Sequence, residues 1–300
     1  MHGTTAGFRT EAGDRLAALA RERPEWREWL RLLAEVEHGE RTGGRADGRT
    51  DARLVGIVGS ASAAVGTGAP LLHGRTIVMD IGGATHLVRR LASLAAMEGE
   101  GAWRGAATLA EFRPSEEQVV ELLQRAMRQE PGGAVGEGDR DAGAVRAIAE
   151  LAALPLLRGC AGLLEAHVPA HWPHGYCPIC AAWPILVEHR GLDRARWARC
   201  GRCGGQWRAE WLRCVYCGER EHERLGSLVP EEGGEVLKVE VCATCRGYVK
   251  TVTTLQAQSP LELLLRDLET IELDLVALER GYERPAPGFH PEVRLVARSA

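Results

Sequence analysis

Along the first half of the chain, apolar residues recur at steps of three and four, the spacing of one face of a helix. In "RPEWREWLRLLAEVEHG" the stripe is Trp26, Trp29, Leu30, Leu33 and Val36, with Pro24 suited to a first turn and Gly39 to the stop. "MDIGGATHLVRRLASLAAM" starts with a Gly-containing turn and continues as a helix carrying Leu87, Leu91 and Leu94. In "PSEEQVVELLQRAM", Ser115 and Gln118 stand at capping-box spacing, which places another helix start there. "AVRAIAELAALPLLRGCAGLLEA" predicts a helix ended or kinked near Pro155. The stretches 39–53 and 130–143 are rich in Gly and charge, without periodicity, and predict loops.

From His171 the pattern changes. Helical spacing gives way to short alternating runs, and five of the eight tryptophans lie between Trp172 and Trp211. "WPILVEHR" and "ARWARC" flank the turn "GLD"; "GQWRAEWLR" alternates Trp207, Ala209 and Trp211; "RLGSLVP" and "EVLKVEVC" flank "EEGG". These are hairpin signatures. Helical period then returns. Ser259 and Glu262 form a capping box around Pro260, and Leu261, Leu264, Leu268, Ile271, Leu275 and Leu278 step 3-4-3-4-3 until Gly281. One long amphipathic helix is expected, its seam packed on its own domain or on a partner, a homodimer included. The pattern as a whole predicts an α+β chain: a helical N-terminal domain over 1–172, a β module over 173–213, and a second over 214–300 that ends in the helix.

Composition narrows the class. At 300 residues, 45% hydrophobic and 26% charged, the chain can bury a sizeable core. A net charge of −4 gives no general pull toward nucleic acid or anionic membrane. "MHGTTAGFRTEAGDRL" lacks the order of a secretory signal, and no apolar run approaches the roughly 18 residues of a membrane span, so a cytoplasmic protein without membrane insertion is expected.

That compartment bears on the cysteines. Eight of nine fall in four Cys-x-x-Cys pairs: Cys177/Cys180, Cys200/Cys203, Cys214/Cys217 and Cys242/Cys245. In reducing cytosol such pairs are more often metal ligands or redox groups than disulfides. Two thiolates two residues apart can face one ion from a tight turn, and two such turns complete a tetrahedral four-sulfur site. Nineteen residues separate Cys180 from Cys200 and twenty-four separate Cys217 from Cys242, each interval holding one hairpin that returns its ends together. Consecutive pairing follows: one site from the first four cysteines, a second from the last four. Interleaved pairing needs a cross-brace that nothing here demands. Thioredoxin-like exchange wants a single pair at a helix start. Four thiolates suit zinc or a mononuclear iron equally, and closed coordination leaves no position for substrate. His171 and His174 are nearby rivals as ligands, but eight sulfurs already fill two sites. Cys160, in an apolar run, reads as a small buried hydrophobe.

Other chemistry is thin. From Pro173 to Gln258 twelve Lys and Arg stand against ten Asp and Glu, and two four-thiolate sites holding divalent metal contribute −2 each, the wrong sign for a phosphate backbone. "GIVGSASAAVGTG" lacks the end of a phosphate loop, "MDIGGATH" lacks the companion motifs of a sugar-kinase turn, and Asp80, His86 and Ser93 form no spaced triad.

"GYCPICAAWP", "CGRCGGQWRAEWLRCVYCG", "VCATCRGYVK" and "LRDLETIELDLVALERGYERPAPGF", in that order, resemble the FdhE-type formate dehydrogenase accessory proteins, over Gly175 to Phe289 and more loosely before it. The resemblance implies a helical domain followed by two rubredoxin-like or zinc-ribbon modules of four cysteines each. It implies a cytoplasmic, non-enzymatic maturation factor, needed to make active respiratory formate dehydrogenase. Such a factor would bind the catalytic subunit before export and carry two mononuclear metal ions, iron or zinc. The carried-over ligands are Cys177, Cys180, Cys200, Cys203, Cys214, Cys217, Cys242 and Cys245. A metal-dependent electron-transfer protein acting on the immature enzyme is the alternative. Ala181-Ala182 stand where Gly-Ser is common, and Arg266-Asp267 replace an acidic pair.

Overall fold

The computed structural model describes residues 5–41, 54–59, 68–97, 106–130, 140–231, 234 and 236–298. By contacts the chain groups into two units. One comprises Met1–Gly59, Arg75–Gly159 and Val293–Ala300; the other comprises Ser60–Gly74 and Cys160–Glu292.

In the first unit, α1 (Thr5–Glu22) and a 3-10 turn at Pro24–Trp26 lead into α2 (Arg27–Arg41). Leu30, Leu32, Leu33 and Val36 of α2 are buried. Gly39 does not end this helix, which runs two residues further; a glycine inside a helix costs only about 1 kcal/mol against alanine. α3 (Ile81–Met97), α4 (Ala106–Glu111), α5 (Glu116–Arg128) and α6 (Arg140–Ala152) follow. The capping box at α5 forms as the sequence predicts: Ser115 Oγ accepts from Gln118 N–H at 3.2 Å and Gln118 Oε1 from Ser115 N–H at 2.8 Å. A turn at Ala153 separates α6 from α7 (Leu154–Leu164), which places the expected break beside Pro155. Ala142–His167 is also long and apolar enough to span a membrane by length and composition, which corrects the expectation that no such stretch exists; two thirds of its most apolar window is buried in protein.

The first unit is not purely helical. β1 (Leu54–Val58) pairs antiparallel with β2 (Arg75–Asp80), and β2 pairs in parallel with β9 (Val293–Arg298) from the far end of the chain. β2 alternates inward Ile77 and Met79, both fully buried, and passes straight into α3, where Asp80 accepts from Gly82 N–H at 3.1 Å. "MDIGG" is therefore a strand end and a helix cap. Most of the expected loop 39–53, and 131–139 of the second, lie outside the described residues.

The second unit is built on one six-stranded sheet in the order β5-β4-β3-β8-β7-β6. Its strands are β3 (Leu186–Arg190), β4 (Ala195–Arg199), β5 (Gln206–Arg208), β6 (Leu225–Leu228), β7 (Leu237–Cys242) and β8 (Tyr248–Thr254). The β3–β4 and β6–β7 hairpins are those the sequence predicts. β3 runs parallel to β8, Leu186 opposite Lys250, so both cysteine-rich modules share one sheet.

The long C-terminal helix is two helices, α8 (Pro260–Glu269) and α9 (Ile271–Glu279). Its capping box at Ser259 and Glu262 forms, and Gly281 takes the left-handed φ of +75° that ends it. The break at Thr270 has a cause in hydrogen bonding. Thr270 Oγ1 donates back to the Arg266 carbonyl at 2.7 Å, and Lys250 Nζ donates to the Asp267 carbonyl at 2.6 Å. The seam is corrected as well. Leu261, Leu263 and Leu265 are buried, Leu263 against Leu186 and Val252 of the sheet. Ile271, Leu275 and Leu278 are exposed at 43%, 54% and 52%, and only Ala277 of α9 is buried.

Candidate metal centres

The four Cys-x-x-Cys segments fold into the same knuckle. The first cysteine's N–H donates to the carbonyl two residues past the second: Cys177 to Ala182 (2.8 Å), Cys200 to Gly205 (2.9 Å), Cys214 to Glu219 (2.9 Å) and Cys242 to Gly247 (3.0 Å). The residue after the second cysteine turns left-handed in every case, with φ of +66° at Ala181, +74° at Gly204, +77° at Gly218 and +58° at Arg246. Glycine meets that demand without strain and alanine or arginine does not, so the departure at Ala181 falls on a position with a physical preference.

These knuckles sit at the roots of the two hairpins, which gather the sulfurs into two groups. Cys177, Cys180, Cys200 and Cys203 form one; Cys214, Cys217, Cys242 and Cys245 form the other; within each, all four sulfurs lie within 4.8 Å of one another. The pairing is consecutive, not interleaved. Cys177 and Cys203 stand 3.5 Å apart, as do Cys180 and Cys200; Cys214 to Cys245 and Cys217 to Cys242 are 3.7 Å. A disulfide requires about 2.0 Å. A tetrahedron with metal–sulfur bonds of about 2.3 Å has edges of about 3.8 Å, so both groups can each hold one metal ion.

Backbone donors point the same way. Ile179, Cys203 and Gly205 N–H groups each approach a sulfur of the first cluster at 3.4 Å, those of Cys177, Cys200 and Cys203 in turn. In the second, Tyr216 N–H donates to Cys214 and Gly247 N–H to Cys245, also at 3.4 Å. Two thiols of the first cluster resist ionisation, and one does not. Burial pushes the Cys177 thiol well up, hydrogen bonds that Cys203 donates to the other sulfurs and then burial push Cys203 up, and Cys200 moves down because it accepts from Cys177. Burial likewise raises Cys214, and takes Cys245 to about 11. Burial thus opposes gathering thiolates at several of these sulfurs, an opposition that the positive charge of a metal would relieve.

The clusters differ in cover. All four cysteines of the first are buried, whereas Cys217 of the second is exposed and Cys214 and Cys245 are half-buried. His171 is exposed and His174 stacks on Tyr176 at 5.0 Å, and neither joins a sulfur group. Cys160 is buried in α7.

Several supporting residues escaped sequence reading. Glu219 accepts the Thr244 hydroxyl at 2.6 Å, tying the third knuckle to the fourth. Arg246 donates to the carbonyls of Arg280 (2.7 Å) and Gly281 (3.1 Å), Glu283 N–H donates to Arg246 O at 2.9 Å, and Tyr248 N–H donates to Glu283 O at 3.1 Å. The "GYERP" motif is thus strapped along the fourth knuckle. Gly175 presses on the Val215 backbone so closely that a Cβ there would stand 1.4 Å from the carbonyl oxygen.

Residues 212–289 match the family described as FdhE, C-terminal domain. The chain is 36% identical over 116 residues to a protein FdhE homolog of Stutzerimonas stutzeri, covering 38% of this chain and 37% of that protein. It is 28% identical over 136 residues to one of Pseudomonas aeruginosa, covering 43% of each. The aligned region thus spans well under half of either relative. In structure it resembles the crystal structure of the FdhE protein from Pseudomonas aeruginosa, with a TM-score of 0.56, 22% identity and 97% of each chain covered. Sequence over residues 212–289 and fold over nearly the whole length agree with the resemblance read from the motifs: the chain is similar to FdhE-type proteins.

Proposed function

We propose that the chain is a non-catalytic accessory factor for formate dehydrogenase, holding two mononuclear ions, iron or zinc, through its eight paired cysteines. It would recognise the dehydrogenase's catalytic subunit in the cytoplasm before export, without nucleic acid or membrane insertion. The observation that carries this reading is the pair of four-sulfur groups, each gathered within 4.8 Å with its closest sulfurs 3.5–3.7 Å apart, a spacing that suits a four-thiolate tetrahedron with no further ligand position for a substrate. A bound ion supplies a crosslink and a fixed charge. The chain's own residues supply shape: knuckles root the hairpins, and β3 beside β8 joins the modules.

The face proposed for the catalytic subunit is α9, where Ile271, Leu275 and Leu278 stand exposed one and two turns apart. Three apolar side chains on one helix face suit a helix-in-groove or flat hydrophobic contact. The test is co-purification of the full chain with that subunit, alongside dehydrogenase activity in a deletion strain. Wild-type protein should capture the subunit and restore activity. Leu275→Glu should lower capture at least tenfold while keeping both metal equivalents. Normal dehydrogenase activity in the deletion strain rejects the proposal.

The redox alternative draws on the exposure of Cys217, which brings the second cluster to the surface where an electron could pass. Visible absorbance that bleaches on reduction supports it, and full occupancy by zinc ends it.

A further inference from the structure

We infer that the second cluster is the exchange site of the protein, where an outside thiolate or chelator enters at Cys217, while the first cluster holds its ion locked. The inference rests on the metal reading above and deepens it. Three observations carry it. First, Cys217 is exposed, whereas every sulfur of the first cluster is buried. Second, among the described residues no backbone N–H donates to Cys217 Sγ, although Cys214 and Cys245 beside it each receive one. An N–H donor stabilises a thiolate, so Cys217, which lacks one and is also the exposed sulfur of its group, is the one most readily displaced. Third, the second cluster opens onto two hollows. A cleft of about 490 Å³ reaches Cys214 and Cys217 between Trp211 and Tyr216, and a cavity of about 250 Å³ reaches Cys214 and Cys242.

The walls suit a passage for a soft ligand. Trp211, 51% exposed, and Leu212, 68% exposed, stand at the rim, and Leu212 is held at a left-handed φ of +51° that branched residues avoid. Arg213, anchored on Glu210 at 2.8 Å, lines both hollows and offers positive charge to an incoming thiolate. Displacement needs no redox partner: as the outside sulfur takes the ligand position, the Cys217 sulfur leaves and is protonated from water.

The experiment uses the full chain loaded with two equivalents of zinc and challenged with excess EDTA, the release followed with time. Iodoacetamide alkylation during the challenge is mapped by mass spectrometry. One equivalent should leave at least tenfold faster than the other, with Cys217 alkylated first and Cys177, Cys180, Cys200 and Cys203 last. Cys217→Ser should abolish the fast phase and leave the slow one. Equal release rates overturn the inference alone, as does a fast phase that survives Cys217→Ser. Should that variant fold poorly, the order of alkylation in the wild-type chain decides the same point. A chain that binds no zinc or iron overturns the metal reading together with this inference.

Discussion

The two sulfur clusters are made from one knuckle used four times, yet one is sealed and the other open. The difference lies in what surrounds them. Cys177 and Cys180 flank a segment covered by neighbouring chain: Leu71 and Leu72 N–H groups donate to the carbonyls of Pro178 and Ile179 at 2.7 and 3.0 Å. Cys200 and Cys203 follow the buried β4, and Gly204 packs against Pro260 at the start of α8. The third knuckle has no such cover over Cys217, and its tie to the fourth runs through the exposed Glu219 and Thr244. Ligand geometry comes from the local turn, and ligand access comes from tertiary packing. Identical motifs therefore serve as a lock in one place and a port in another.

The largest effect should come from removing one sulfur from each cluster. Structural zinc in comparable small modules contributes about 10–16 kcal/mol apparent at neutral pH. Cys177→Ser should cost one metal equivalent and most of the protease resistance of the sheet, because its cluster roots β3 and β4 at the sheet's interior. Cys242→Ser should also lose one equivalent but leave β3, β4 and β5 protected. Metal analysis with limited proteolysis and fragment mapping measures both. Uniform digestion in the two variants would erase the proposed difference.

A smaller effect should follow where the clusters meet. Gly175→Ala puts a Cβ 1.4 Å from the Val215 carbonyl oxygen, a backbone atom that cannot rotate away. Overpacking of this kind typically costs about 1–3 kcal/mol. Thermal unfolding of the metal-loaded variant should fall by several degrees while it still binds two equivalents. An unchanged midpoint would mean that Gly175 and Val215 are free to separate.

Much of this was legible in the sequence for a local reason. Capping boxes at Ser115 and Ser259, the hairpins, and the ligand groups all depend on residues a few to a few tens of positions apart. What escaped depends on distant partners. β2 has only six residues of alternation, and its neighbour β9 lies at the other end of the chain, so the first half reads as helical. The heptad-like seam predicts one helix because its spacing is unbroken; the Thr270 hydroxyl and the Lys250 ammonium, the latter arriving from β8, divert the carbonyls that would continue it. Cover over a cluster is likewise invisible in Cys-x-x-Cys spacing. "GYERP" stood among the quoted motifs, but that Arg246 straps the chain there to the fourth knuckle follows only from the fold.

The smallest effect concerns the residue after each second cysteine, and it compares the clusters at a single atom. At Gly218 of the open cluster φ is +77°, and a Cβ would meet Arg213 Nη2 at 3.4 Å, an ordinary contact. Gly218→Ala should therefore cost only the left-handed strain, about 1–2 kcal/mol. Ala181 of the sealed cluster already carries that strain at φ +66°, but its methyl is fully buried. Ala181→Gly relieves the strain, removes about 0.8 kcal/mol of methyl burial, and adds about 0.5–1 kcal/mol of chain entropy to be lost on folding. These terms nearly cancel, so its stability should lie within about 0.5 kcal/mol of wild type. Denaturant unfolding of both metal-loaded variants measures the pair. If Gly218→Ala proves neutral while Ala181→Gly destabilises by more than about 1 kcal/mol, burial outweighs backbone strain in setting these knuckles, and the alanine is there to seal the first cluster.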